Sequence, residues 1–255
     1  MRRSRVLAGV VAISLVVILT ACTAGGRAGR GPRSVVVFAA ASLKQVFTSI
    51  GERFSADNPG SAVTFNFAGS AELATQLTQG ATADVFASAD TAQLDRVTQA
   101  GMLAGVATNF AANTLVIVTA PGNPKHIGSF ADLTRPGLSV VVCQRPVPCG
   151  SATHRIEDAT AVQLHPVSEE PSVSDALNKV TTGQADAALV YVTDATSAGS
   201  KVAAVTFPEA VQAVNVYPIA VLKNAPQAAL AEKFQAVVTG PAGREILDRA
   251  GFARP

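Results

Sequence analysis

The alternation of short apolar runs with longer amphipathic stretches constrains the fold of this chain more than any other feature. From residue 34 onward, each run rich in valine, alanine or phenylalanine is followed by a stretch whose apolar residues recur with a helical period. This order predicts an α/β protein in which helices flank parallel strands. The predicted strands are 35–41, 62–67, 85–87, 114–119, 139–143, 187–190, 201–206 and 216–222. The predicted helices are 43–58, 71–79, 91–100, 151–163, 173–183, 227–238 and 241–250.

The alternating part is long for one sheet, and its pattern indicates two lobes. Two apolar segments, 113–121 (NTLVIVTAP) and 215–222 (NVYPIAVL), separate blocks that have their own strand–helix units. A chain that crosses twice makes one lobe discontinuous, so we predict lobe 1 from 34–114 with 215–255 and lobe 2 from 115–214. In such sheets, ligands bind at the carboxyl ends of the strands, where helix N-termini point.

The first 22 residues indicate export. Three arginines in the first five residues precede an apolar run at 6–19, and LTAC then places small residues before Cys22. This is typical of a secretory signal and too short for a comfortable spanning helix. LTAC resembles a bacterial lipobox, so we predict a signal peptide at 1–21, lipid on Cys22 and a flexible Gly/Arg-rich tether at 22–33. An ordinary membrane anchor with an incidental cysteine is the alternative.

The charge balance argues against a nucleic-acid partner. Removal of residues 1–21 takes away three arginines and no acid, so the formal charge changes from +2 to −1. A nearly neutral chain without tryptophan has neither the basic face nor the stacking residues that nucleic-acid binding uses. The three histidines are scattered along the chain and indicate no metal site.

With Cys22 assigned to lipid, Cys143 and Cys149 are the two cysteines that remain. An even pair in an exported protein favours a disulfide, which would fix the shape of the CQRPVPCG loop. Two separate buried thiols are the alternative.

Polar or small residues follow several predicted strands and precede helices. In lobe 1 these are Ser42 and the pair 69–70 (GS), and in lobe 2 they are 148–150 (PCG), 171–173 (PSV) and Tyr191. Each has an ordinary interpretation alone, since serine before a helix is usually an N-cap and a tyrosine at a strand end usually packs. Together they offer hydroxyls and free amides from both lobes, without a formal positive charge.

Several longer motifs carry a family resemblance. They are FAAASL at 38–43, FAGSAEL at 67–73, ADVFASAD at 83–90, VPCG at 147–150, ADAALVY at 185–191, FPEA at 207–210 and YPIAVL at 217–222. With this spacing, the chain resembles the periplasmic molybdate-binding proteins of ABC importers over essentially its whole mature length. The resemblance implies the two-lobed type II periplasmic-binding-protein fold, in which each lobe has a mixed, mostly parallel sheet and the lobes close over a tetrahedral oxyanion.

The resemblance also assigns roles to five residues. Ser42 and Ser70 would supply hydroxyl and amide donors from lobe 1. From lobe 2, Cys149 and Val173 would supply backbone amides, and Tyr191 its phenol. The family usually has another small residue where this chain has Cys149, and a disulfide would constrain that amide without removing it.

The implied function is capture of molybdate or tungstate and delivery to the membrane permease of an ABC importer. We expect a monomer, held by lipid at the outer face of the cytoplasmic membrane, with no catalytic residue, no cofactor and no metal beyond the bound oxyanion. A fully ionised dianion accepts hydrogen bonds and donates none, which suits helix N-termini and hydroxyls. Nearby acids, Glu72 and Asp175, are expected to face away from the ligand.

Three other functions remain open from the residues alone. Sulfate has the same charge and could be the ligand of a binding protein of the same fold. A serine hydrolase would need a base for Ser42 or Ser70, and the candidates are His126, His154 and His165, but no G-x-S-x-G motif is present. A purely structural envelope lipoprotein would leave the convergent polar corners unexplained.

Overall fold

Residues 33–255, the part of the chain that this computed structural model describes, contain ten strands. The strands are β1 Arg33–Ala40, β2 Ser61–Ala68, β3 Val85–Ala87, β4 Thr108–Asn113, β5 Leu115–Thr119, β6 Val140–Cys143, β7 Ser168–Glu170, β8 Ala187–Tyr191, β9 Ala203–Val205 and β10 Asn215–Val221. They form two five-stranded sheets, ordered β2-β1-β3-β10-β4 and β7-β6-β8-β5-β9. We call the sheets with their helices lobe 1 and lobe 2, in that order.

The two sheets share one topology. In each, the first three strands in spatial order are parallel, and the next strand runs antiparallel to both of its neighbours. The predicted α/β fold with two mixed sheets is therefore confirmed. Central strands such as β5 (LVIVT) and β8 (AALVY) are buried along their whole length, because helices cover both faces of each sheet.

In the described range, 33–255, eight α-helices flank the sheets. They are α1 Lys44–Asp57, α2 Ser70–Thr78, α3 Thr91–Gln99, α4 Pro148–Thr160, α5 Val173–Thr181, α6 Val192–Ala198, α7 Ala228–Thr239 and α8 Pro241–Arg249. Short 3-10 turns occupy Ala41–Leu43, Ala131–Thr134, Gly199–Lys201 and Pro208–Ala213. The helices α4, α5 and α6 pack on lobe 2, and the others pack on lobe 1.

A cluster of aromatic rings binds the helices of lobe 1 to its sheet. The ring of Phe47 on α1 lies 6.2 Å from Phe65, 5.8 Å from Phe110 and 5.9 Å from Phe234, measured between centroids. Tilted and edge-on pairs of this kind contribute about 0.5–1.5 kcal/mol each beyond the area they bury. The cluster joins α1, β2, β4 and α7 and so holds the start of α1 in place.

The chain passes between the lobes at two short connections. The first is Thr114, between β4 and β5, and the second is 206–214, which contains the turn Pro208–Ala213. The segments predicted as crossovers begin at these connections, but β5 and β10 each lie within a single sheet. Asn113 and Asn215 pair opposite each other in lobe 1, where both connections meet. The lobe limits, 34–114 with 215–255 for lobe 1 and 115–214 for lobe 2, stay a prediction. Apart from Arg33 at the start of β1, all strands of the first sheet lie within the lobe 1 ranges, and all strands of the second sheet lie within the lobe 2 range.

Besides the short 3-10 turns, two strands and one α-helix in residues 33–255 were not predicted. β4 (TNFAAN) and β7 (SEE) are short and partly polar, and pairing with β10 and β6 gives them their strand conformation. α6 (VTDATSA) has valine and three threonine or serine residues, which are weak helix formers. It is stabilised by a capping box in which the Tyr191 amide donates to Asp194.

The predicted signal peptide, Cys22 and the tether lie outside the described residues, apart from Arg33, which is the first residue of β1. In the part of the chain from residue 33 to 255, no helix has the length and apolar character needed to cross a bilayer.

Candidate binding site

A small cleft lies between the lobes, and each residue that lines it stands at or just before the start of a helix or 3-10 turn. The lining residues are Ala40, Ala41, Ser42, Gly69, Ala89, Val147, Pro148, Cys149, Val173 and Tyr191. They belong to the starts of the turn Ala41–Leu43 and of α2, α3, α4, α5 and α6. Because the first amides of a helix have no partner within it, unpaired N–H groups and positive dipole ends converge on this cleft.

The size of the cleft limits the ligand. Its empty space is about 190 Å³, including the mouth that is open to solvent. Most of that space is the open mouth, so in this arrangement of the lobes the cleft is too small for a sugar or a peptide.

None of the residues that line the cleft carries a charge. Glu72 and Asp175, which were expected to face away from the ligand, do not line the cleft. The carboxylate of Glu72 is exposed and accepts a hydrogen bond from Gln76, whereas that of Asp175 is exposed and accepts one from Ser172. The walls of the cleft therefore present hydrogen-bond donors without a competing carboxylate.

The structure brings four of the five predicted site residues to the cleft. Ser42, Cys149, Val173 and Tyr191 line it. Ser70 lies just behind, 1% exposed, and its Oγ accepts a hydrogen bond from the amide of Ala89 at 3.0 Å. Since that bond uses a lone pair, the Ser70 hydroxyl proton stays available as a donor. The roles of the five residues toward a ligand stay a prediction.

Neither serine is the N-cap that its position suggested. Ser42 is the middle residue of the turn Ala41–Leu43, and its Oγ lies 3.0 Å from the hydroxyl of Tyr217. Ser70 is the first residue of α2, and Gly69 stands at the cap position. Both hydroxyls make tertiary hydrogen bonds instead, because folding places Tyr217 and Ala89 within their reach.

Asn215 links the two lobes at the back of the cleft and was not predicted. Its Nδ2 donates to the hydroxyl of Tyr191 at 2.7 Å and lies 3.0 Å from the carbonyl of Ala89 and 3.2 Å from that of Pro148. Its Oδ1 accepts from Arg155 at 2.5 Å, which fixes the orientation of the amide. The sequence signal was weak, since Asn215 begins an otherwise apolar strand.

The contact with Asn215 defines what Tyr191 can do. An amide nitrogen only donates, so the Tyr191 oxygen accepts that bond and its own proton points elsewhere. Burial, and then the neighbouring Tyr217, hold the pKa of Tyr191 well above its ordinary value. Tyr191 is therefore a neutral hydroxyl at physiological pH, and the neighbouring Tyr217 hydroxyl is one possible acceptor for its proton.

Two buried carboxylates lie close to the cleft without lining it. Burial raises the pKa of Asp194 to about 7, although the Tyr191 amide, which donates to it at 3.1 Å, acts in the opposite direction. Burial also raises the pKa of Asp90, against the Gln93 amide and the charge of Arg155. Oδ1 of Asp90 caps α3, and its buried Oδ2 has no partner among residues 33–255.

The predicted disulfide is confirmed. Cys143 at the end of β6 is bonded to Cys149 in the first turn of α4, with the Cα atoms 5.7 Å apart. Both residues are almost fully buried. The bridge closes the loop at 144–148 and thereby fixes the start of α4, whose amides face the cleft. The carbonyl of Pro146 in this loop accepts a hydrogen bond from Gln93 of lobe 1 at 2.8 Å.

The structure assembles neither a hydrolytic pair nor a metal-ligand cluster from residues 33–255. Neither Ser42 nor Ser70 hydrogen-bonds to a histidine there. His126 and His165 are exposed, and His154 pairs with Glu157 on the same helix. In the same range, no three of the histidine, cysteine and acidic residues group closely enough to hold a metal ion.

Comparison with known proteins agrees with this geometry. A family model described as bacterial extracellular solute-binding protein matches residues 35–253. The chain is 66% identical over 253 residues to the molybdate-binding protein ModA of Mycobacterium tuberculosis H37Rv, and the match covers 97% of each chain.

Two solved structures share the fold. The periplasmic molybdate-binding protein of Azotobacter vinelandii is similar with a TM-score of 0.74 and 23% identity, over 87% of this chain and 99% of that one. The sulfate-binding protein SubI of Mycobacterium tuberculosis H37Rv is similar with a TM-score of 0.77 and 21% identity, over 87% of each chain. At such identities, the structures support the two-lobed fold and not a particular ligand.

The resemblance that the motifs indicated is thus confirmed by a family model that spans nearly all of the described residues and by a relative that is two-thirds identical over almost the whole chain. The chain belongs to the bacterial extracellular solute-binding protein family.

Proposed function

We propose that this chain captures molybdate or tungstate between its two lobes, outside the cytoplasmic membrane, and delivers the ion to the permease of an ABC importer. The observation that carries the proposal is the cleft on which six helix or turn starts converge without a charged side chain. The 66% identity to a molybdate-binding protein supports the choice of ion.

The arrangement balances a dianion without a formal positive charge. Each helix N-terminus carries the equivalent of about half a charge, and several converge here. A hydrogen bond to a charged group contributes about 1.5–3 kcal/mol, so a handful of donors is sufficient for tight binding after the costs of desolvation. Because no arginine or lysine lines the cleft, the ion can leave when the lobes open.

The same donors discriminate among anions. Hydrogen phosphate keeps a proton at neutral pH and needs an acceptor, which the side chains lining the cleft offer poorly. Sulfate has the right charge but is smaller, so a cleft that closes on molybdate would hold it loosely. Tungstate has nearly the size of molybdate, and we expect it to bind about as tightly.

The proposal makes the chain a carrier rather than an enzyme. It requires no cofactor, because the anion is the cargo, and no catalytic residue, because nothing is transformed. We further propose that the chain is a monomer anchored by lipid on Cys22, which the LTAC motif supports. Cys22→Ala should then release the protein into the medium or stall its processing, and a variant that stays on the membrane at the wild-type mature mass would contradict the anchor.

Thermal denaturation tests the ligand, since the chain has no tryptophan for a fluorescence titration. At about 100 times the dissociation constant, a ligand adds about 2.7 kcal/mol to the free energy of unfolding. For a chain of this size that raises the melting temperature by about 5–10 °C. We expect this shift with molybdate and tungstate, a smaller one with sulfate and none with phosphate.

Variants at the cleft test whether the rise in melting temperature comes from molybdate bound there. Ser42→Ala and Ser70→Ala should each reduce the molybdate shift and leave the ligand-free melting temperature within a few degrees of wild type. Ser55→Ala is the matched control, because the Ser55 hydroxyl bonds within α1 and away from the cleft. A phosphate shift equal to that of molybdate would refute the donor-only cleft, and a larger sulfate shift would make sulfate the cargo.

A further inference from the structure

Gly69 marks a point at which the two lobes come into backbone contact. A Cβ atom added to Gly69 of lobe 1 would lie 2.1 Å from the carbonyl oxygen of Pro171 in lobe 2 and 3.3 Å from its carbon. It would also lie 3.7 Å from a methyl group of Val147. Real Cβ atoms essentially never approach another heavy atom within 3.0 Å, so no side chain fits at position 69 in this arrangement of the lobes.

Local conformation does not require glycine there. The backbone of Gly69 has φ −59° and ψ 136°, which any L-residue adopts without strain. Glycine also contributes no side-chain bond at the cap of α2. Glycine is therefore required at position 69 only because lobe 2 leaves no room for a side chain there. Since the obstacle is a backbone carbonyl, it cannot rotate out of the way as a flexible side chain would.

Other contacts between the lobes also require that lobe 2 lie close to residue 69. The Gln93 side chain reaches the carbonyl of Pro146, and Asn215 joins the carbonyl of Ala89 to that of Pro148. Movement of lobe 2 away from residue 69 would lengthen these hydrogen bonds as well. It would also withdraw the donors that lobe 2 brings to the cleft.

We propose that the absence of a side chain at Gly69 is what permits the lobes to close over the anion, so that any side chain there holds them apart. The proposal rests on the proposed function, because closure matters for a ligand held between lobes. A variant with a side chain at 69 keeps the donors of lobe 1 and loses those of lobe 2. Molybdate then binds at least about 100-fold more weakly, while the ligand-free fold is retained.

Gly69→Ala tests the proposal, with Gly105→Ala as the matched control. Gly105 is exposed in a loop of lobe 1, and a Cβ atom there meets nothing within 4 Å. Molybdate titrations give the affinity, small-angle X-ray scattering gives the radius of gyration with and without molybdate, and melting reports the fold. We expect wild type and Gly105→Ala to contract on binding, and Gly69→Ala to show no contraction.

Two results would overturn the proposal. One is contraction and wild-type affinity in Gly69→Ala. The other is a ligand-free melting temperature more than about 10 °C below that of Gly105→Ala, which would make Gly69 a requirement of the fold itself.

A ligand-free measurement separates this proposal from the proposed function. Amide hydrogen exchange at 147, 149 and 150 should be faster in Gly69→Ala than in Gly105→Ala, because ligand-free lobes that close part of the time cover these amides, and the lobes of Gly69→Ala do not close. Equal exchange would contradict the role of Gly69 whatever the ligand is. If wild type fails to bind molybdate while the exchange rates differ, the choice of ion is wrong and the role of Gly69 stands.

Discussion

In the site that we propose, Tyr191 donates to the ligand, and replacing Asn215 with aspartate should turn this donor toward the protein. The substitution preserves the volume of the side chain and the oxygen that accepts from Arg155. It replaces Nδ2 with an oxygen that faces three acceptors, the Tyr191 hydroxyl and the carbonyls of Ala89 and Pro148. The Tyr191 proton then turns toward the new carboxylate and is no longer available to a ligand.

The hydrogen bonds that are lost determine how much the molybdate affinity and the melting temperature should fall. Loss of one hydrogen bond to a charged ligand costs about 1.5–3 kcal/mol, which weakens molybdate binding about 10- to 150-fold. Without ligand, two buried carbonyls lose their donor at about 1–3 kcal/mol each, so the melting temperature should fall by about 5–15 °C.

Isothermal titration calorimetry with molybdate, at a temperature where both proteins are folded, measures the affinity. Asn113→Asp is the matched control, because Asn113 is the register partner of Asn215 and is equally buried, but its Nδ2 bonds to Thr193. We expect the control to destabilise the fold and to change the affinity less than threefold. A dissociation constant of Asn215→Asp within threefold of wild type would show that Tyr191 does not depend on Asn215 for its orientation.

Three further predictions concern buried groups around the cleft. Burial raises the pKa of Asp194 to about 7 from its ordinary value near 3.8, so between these pH values the folded chain holds a proton that the unfolded chain releases. The free energy of unfolding should thus fall by up to about 3 kcal/mol from pH 5 to pH 8. Urea denaturation at the two pH values measures this fall, which should be smaller in Asp194→Asn. Equal falls in the two proteins would contradict the role of Asp194. Joint replacement of Cys143 and Cys149 by serine should cost about 2 kcal/mol of stability, and an unchanged melting temperature would count against the bridge as a stabilising element. Gln93→Ala removes the bond to the Pro146 carbonyl and should weaken molybdate binding about 2- to 10-fold in calorimetry; unchanged affinity would mean that this contact does not help closure.

The positions of most strands and helices could be predicted because their signals are local. β3 was predicted to the residue at both ends, and the start of α5 at Val173 also agrees with the structure. The shared edge where strands end and helices begin was also predictable, since the topology of parallel strands brings their carboxyl ends together. α4 begins at Pro148 and not at 151, because proline is well suited to the first turn of a helix.

What the sequence determined by itself was the period of its apolar residues, the uncharged corners such as Ser42 and Tyr191, and the pair of cysteines at 143 and 149. The tertiary structure decided which groups face one another across the cleft. It turned the Ser42 hydroxyl to Tyr217, placed Asn215 between the lobes, and brought Gly69 against a carbonyl of lobe 2. These contacts join residues far apart in the chain, and no local propensity encodes them. They follow from how two sheets pack around two connections, which only the folded chain specifies.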